Sequence, residues 1–123
     1  MGRYAFFNTG VEYKFTFAVQ FSSDMLEFGG TSEPCEGYEY VQSWEQKEAP
    51  SILDQLRGFE DVLGLPELDF EKFSKDSDGT SKMRHTLWEY LDLEQKEHCR
   101  YQLGCVIYHQ LLYQPSLRVT FEG

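Results

Sequence analysis

The sequence predicts an α+β fold, a mostly antiparallel sheet covered on one face by two to three helices. Three observations carry this. The run VEYKFTFAVQF (11–21) alternates with the period of a half-buried strand, and SLRVTFE (116–122) does the same. After Pro50, in contrast, Ile52, Leu53, Leu56, Phe59 and Leu63 fall on one helical stripe. A sheet with one apolar face must bury it, and helices are the available cover.

Taken in order, RYAFF and the alternating run read as strands near 3–8 and 11–21, joined by Asn8-Thr9-Gly10. A three-residue connection ending in Gly suits a hairpin whose last loop residue is left-handed. The register Val11, Tyr13, Phe15, Phe17, Val19 and Phe21 should face the helices, because Glu12, Lys14, Thr16, Ala18 and Gln20 make the other face mostly polar. Gly29-Gly30 opens an acidic stretch that reads as irregular, with Pro34, Cys35 and Gly37. Tyr38, Tyr40 and Trp44 then recur at even spacing, which predicts a third strand near 38–45. The helix after Pro50 has Ser51 and Asp54 placed as a capping box, and Gly64 with Pro66 as its stop.

Residues 67–74 suit a short helical turn, and Asp76-Ser77-Asp78-Gly79 a turn cluster. A second helix should start near Thr80 or Ser81 and bury Met83, Leu87, Tyr90 and Leu91. Unbroken to Tyr113 it would run about 50 Å, too long for a chain of this size, so a break near Asp92 is expected. The stretch HCRYQLGCVIYHQLLY (98–113) fits either a buried helix or a strand with Tyr101, Leu103, Cys105, Ile107, His109, Leu111 and Tyr113 on one face. The helix is favoured by its polar lead-in LEQKEH and by Pro115 beyond its end, although Gly104 costs a helix roughly 1 kcal/mol relative to Ala. Leu117, Val119 and Phe121 mark the last strand, expected to return to the N-terminal hairpin.

With 123 residues, one domain spanning 1–123 is expected. A hydrophobic share of 41% sets the chain apart from disordered sequences, so its charge belongs to a surface. No basic segment precedes an apolar run and a small-residue cleavage site, and no membrane-length apolar window occurs. Three cysteines, none at CxxC spacing, argue for reduced thiols. Together these predict a cytoplasmic protein with no membrane association. The net charge of −10 is concentrated in residues 24–48, with seven acidic side chains against one basic, and in 49–79, with eight against three. That field repels phosphate backbones, so no nucleic-acid partner is expected and a basic protein is the natural complement.

The aromatic run superficially suggests a base-stacking platform. An RNA-recognition strand, however, needs glycines where Lys14 and Thr16 stand, and a core face is the expected role. Asp76, Asp78 and Gly79 mimic a calcium loop, but Ser74 and His85 then occupy positions that require Asp and a bidentate Glu. His98, Cys99, Cys105 and His109 are the one His/Cys cluster. On a helix, Glu94 with His98 and Cys105 with His109 are i,i+4 pairs, yet His98 lies roughly 10 Å along the axis from Cys105, so one ion cannot take both pairs. No GxSxG, GxGxxG or phosphate-loop motif is present. No metal and no cofactor are expected.

Two functional readings follow. The leading one is a non-enzymatic interaction protein, inhibitor- or immunity-like, that binds a basic protein partner through Glu36, Tyr38, Glu39, Tyr40, Trp44 and Glu45. Here the rings supply anchor area and the carboxylates steer. The alternative is a small-molecule-binding domain or small enzyme with a pocket between the aromatic sheet face (Tyr13, Phe15, Phe17) and the helix bearing Cys105 and His109.

Overall fold

A computed structural model of the chain describes residues 4–14, 28–34 and 39–122. Strands β1 (Tyr4–Phe7), β2 (Glu12–Lys14), β3 (Thr31–Pro34) and β4 (Glu39–Glu45) precede helices α1 (Ala49–Leu63), α2 (Ser77–Trp88) and α3 (Lys96–Leu111), and strand β5 (Ser116–Glu122) follows. Among the described residues the strands form one sheet in the order β2-β1-β5-β4-β3, every pair antiparallel. The fold is α+β, as the alternation of strand and helix periods predicts.

The N-terminal hairpin closes through Gly10 at φ 92°, with Phe7 N–H donating to the Val11 carbonyl at 2.9 Å. The described part of the alternating run ends at Lys14, so Phe15, Phe17, Val19 and Phe21 lie outside the described residues. On the described part, Val11 and Tyr13 are buried while Glu12 is exposed. Ala5, Phe7, Leu117, Val119 and Phe121 are buried with them, and Phe6 and Arg118 face outward, so the sheet has one apolar face. β5 sits centrally between β1 and β4, as a return strand to the hairpin requires.

β3 corrects the expectation of an irregular stretch after Gly29-Gly30. TSEP lacks any apolar alternation, but as an edge strand it needs only backbone pairing to β4, and Pro34 stands at its end, where a missing N–H is tolerated. α1 begins at Ala49 rather than Ser51, after a 3-10 turn at Gln46–Glu48 in which Glu48 accepts the Glu45 N–H at 2.7 Å. Gly64 ends α1 in the left-handed conformation. α2 starts at Ser77, three residues before Thr80, because the Asp76 carboxylate accepts the Gly79 N–H at 2.9 Å and caps it. The break at Asp92 is present, with Asp92 accepting from Glu94 N–H at 3.1 Å and Gln95 Nε2 at 3.0 Å.

Residues 96–111 are helical, and from Leu103 to Ile107 every residue is buried. α1 and α2 each pack on α3, and α3 contacts β5. Gly104 explains the apparent conflict with helix propensity. A Cβ there would lie 2.5 Å from two Phe28 ring atoms and 2.7 Å from Leu56 Cδ2, so its absence lets the ring and α1 close on α3. No helix among the described residues is long and apolar enough to cross a membrane.

Candidate functional site

The chemistry near the surface begins with a carboxylate on an apolar stripe. Ile52, Leu56 and Glu60 are four residues apart on α1, so Glu60 follows the two leucine-type side chains into the interior and is 4% exposed. An ionised carboxylate survives there only if its oxygens are satisfied. Arg57 Nη1 donates to Oε1 at 2.9 Å and Oε2 at 3.0 Å; Oε2 also accepts from Leu68 N–H at 3.1 Å and the Tyr101 hydroxyl at 2.5 Å. Arg57 Nη2 completes the clasp by donating to the Leu68 carbonyl at 3.0 Å. The ion pair therefore grips both sides of the Leu68 backbone and fixes the 65–72 segment against α1. Burial opposes the charge on Arg57, but the bond and charge of Glu60 hold its pKa above the ordinary value.

That grip builds a groove. Leu53, Arg57, Phe70, Tyr108 and Leu112 line its floor and walls, with Leu68, and it encloses about 280 Å³. Phe70 meets Tyr108 edge-on at 4.7 Å, and the Arg57 guanidinium lies 5.8 Å over the Phe70 ring. Glu67, Asp69 and Glu71 form the rim and are exposed. Glu67 approaches Arg57 at 3.7 Å, and Asp69 accepts the Glu71 N–H at 3.1 Å, opening the 3-10 turn Phe70–Lys72. At its other end the groove reaches Leu112, whose carbonyl accepts from Gln46 Nε2 at 3.3 Å, so it borders the end of β4 and Glu45. A second groove of about 210 Å³ runs along α2 between Ser81, Arg84, His85, Trp88 and Gln102, with Trp88 64% exposed.

The structure distributes the sequence-predicted residues rather than gathering them. Glu36 and Tyr38 lie outside the described residues, and of Glu39 and Tyr40 only the backbone is described, paired with Glu122 and Phe121. Glu45 is exposed and pairs with Lys47 at 3.0 Å. Trp44 is a correction to the proposed contact surface. It stands opposite Leu117 on the covered face, is 1% exposed, and donates its indole N–H to the Phe28 carbonyl at 3.2 Å. Even spacing in a strand marks a face without telling which one is covered.

Tyr13, Cys105 and His109 are all buried, on three separate networks. The Tyr13 hydroxyl donates to Gln102 Oε1 at 2.9 Å, with the Arg84 guanidinium 5.0 Å over its ring, and burial pushes its pKa up. Cys105 lies within hydrogen-bonding reach of the Tyr101 hydroxyl, and burial pushes its thiol well above the ordinary value, the opposite of what a nucleophile needs. His109 Nδ1 is 3.0 Å from Thr80 Oγ1 on α2. Neither groove is lined by Cys105 or His109. His98 Nδ1 accepts the Asp92 N–H at 2.6 Å and Cys99 donates to the Leu93 carbonyl at 3.0 Å, so both hold the start of α3. Among the described residues no three of His, Cys, Asp and Glu converge as metal ligands.

Sequence reasoning missed the Glu60 clasp and the groove it builds. The signal available was one carboxylate at helical spacing on the stripe of Ile52 and Leu56, with Arg57 beside it. Compared with known proteins, the chain matches no family model, no curated protein and no solved structure.

Proposed function

We propose that this chain is a non-enzymatic interaction protein that binds a basic protein partner, in the manner of an inhibitor or immunity protein. The supporting observation is uncompensated acid at the surface. The chain carries a net charge of −10, and among the described residues exposed carboxylates outnumber exposed Lys and Arg. Such a field raises the rate of encounter with a cationic surface and disfavours anionic ones. The candidate chemical groups of the interior, Cys105 and His109, serve packing networks and lie apart from both grooves, which favours binding over catalysis.

The test uses a partner captured from the native host, identified and purified. Its Kd for the chain is measured by calorimetry from about 50 to 300 mM NaCl, a range over which screening changes strongly. Affinity should fall steeply with salt, and the combined reversal Glu36→Lys, Glu39→Lys, Glu45→Lys should weaken it by at least a hundredfold. A partner whose affinity ignores both salt and these reversals overturns the reading.

A further inference from the structure

We propose that the groove between α1, the 65–72 segment and α3 is the docking site for a basic partner segment, seating one apolar side chain against Leu53, Tyr108 and Leu112 while flanking Lys or Arg side chains face Glu67, Asp69 and Glu71. The inference rests on the reading that the chain binds a basic protein, and it assigns that binding a place and a mode.

Three features of the groove choose this occupant. Its volume of about 280 Å³ lies below the range of roughly 300–1,000 Å³ common for small-molecule pockets, and suits a side chain inserted from outside. Its walls are aromatic and aliphatic, with half-buried Tyr108, Leu53 and Leu112 presenting the kind of surface on which interface anchors sit and the buried Phe70 ring backing Tyr108. Its rim is acidic: Arg57 is committed to Glu60 and the Leu68 carbonyl and reaches one rim carboxylate, Glu67, at 3.7 Å, so Asp69 and Glu71 leave negative charge facing solvent. An anionic or purely apolar occupant would leave those carboxylates opposed or desolvated, whereas flanking ammonium or guanidinium groups would meet them. The clasp also makes the site rigid before binding. Leu68 is held through both its N–H and its carbonyl, so little ordering is left to oppose association. The groove's Leu112 end adjoins Gln46 and Glu45, so a segment leaving it passes onto the acidic end of β4.

The probes are fluorescein-labelled peptides with a central Leu, Phe or Ala flanked by two Lys on each side, and a matching Leu peptide flanked by Glu. Binding is read by anisotropy at low salt and located by amide shift mapping of the full chain. The Leu and Phe peptides should bind about tenfold tighter than the Ala peptide, the Glu-flanked peptide should not bind, and shifts should cluster at Leu53, Phe70, Glu71, Tyr108 and Leu112. Glu67→Lys with Glu71→Lys, both solvent-exposed, should weaken binding at least tenfold while the chain stays folded, read by its circular dichroism. Equal affinity for the Leu and Ala peptides, or shifts that miss the groove, overturns this proposal. The captured partner separates the two levels. If it ignores Glu67→Lys/Glu71→Lys but responds to the Glu36, Glu39 and Glu45 reversals, the groove assignment fails and the broader reading stands. If it ignores both sets and salt, the two fail together.

Discussion

At the scale of single residues, His109 is a proton switch on stability. Gln110 Nε2 donates to Thr80 Oγ1 at 2.6 Å, and the same hydroxyl lies 3.0 Å from His109 Nδ1 and 3.4 Å from the Asp76 carbonyl, so one threonine ties the imidazole to α2. Among the described residues Nε2 has no hydrogen-bond partner, and the Phe73 and Tyr113 rings stand edge-on to the imidazole. Burial lowers the His109 pKa, opposed by the nearby Phe73 and Ser74 backbone and by the Asp76 charge. With the folded pKa below the ordinary 6.5, the unfolded chain takes the proton first. Stability is therefore intact above pH 6.5 and falls as pH drops from there toward the folded pKa. Urea midpoints between pH 7.5 and 5 should decline for the parent chain, and His109→Gln should flatten that decline; equal slopes would refute it. Asp76, held low by Gly79 N–H and the Ser74 hydroxyl, acts only near its ordinary 3.8 and so leaves this window clear. The helical placing of His109 beside Cys105 was legible in the sequence, but Thr80 as its partner was not, because the pairing joins residues far apart in the chain. Glu60 shows the same limit more sharply, since its partner Tyr101 lies on another helix.

At the scale of elements, α3 is the keel of the fold and Gly104 its tightest point. Replacing Gly104 with Ala gains roughly 1 kcal/mol of helix propensity. The new methyl would nevertheless sit 2.5 Å from Phe28 ring atoms, and Phe28 is 4% exposed with little room to retreat. Overpacking of this kind costs about 1–3 kcal/mol, and contact on two sides places it at the upper end. Gly104→Ala should therefore destabilise the chain by about 1–2 kcal/mol in a denaturant titration, where propensity alone would stabilise it. Elements whose burial pattern has a clear period were legible in advance: the helix of Ile52 and Leu56, the strand of Leu117, Val119 and Phe121, and the break at Asp92. Those held by backbone pairing or by side-chain caps were not. β3 rests on its ladder to β4, α1 continues from the 3-10 turn that Glu45 and Glu48 cap, and α2 starts at the Asp76 cap.

At the scale of the whole molecule, stability and binding should respond to salt in opposite directions. A net charge of −10 on 123 residues is self-repulsive in the compact state, and the unfolded chain relieves it by spreading. The attractions that salt would weaken are small by comparison. Lys47–Glu45 and Lys82–Asp78 join side chains that are 80%/64% and 71%/70% exposed, a setting in which solvent screening leaves a pair little weight. The Arg57–Glu60 pair has its carboxylate buried to 5% exposure and is screened far less. Raising NaCl from about 10 to 150 mM shortens the screening length from about 30 to 8 Å, which removes most repulsion between distant carboxylates and leaves the clasp in place. The thermal midpoint should rise by a few degrees, about 4 °C for each 1 kcal/mol gained in a chain of this size. Over the same interval affinity for a basic partner should fall, because the carboxylates that repel one another are those that attract it. A midpoint that falls with salt would mean that ion pairing outweighs repulsion across the surface, and the anionic field would then lose its claim to guide a partner.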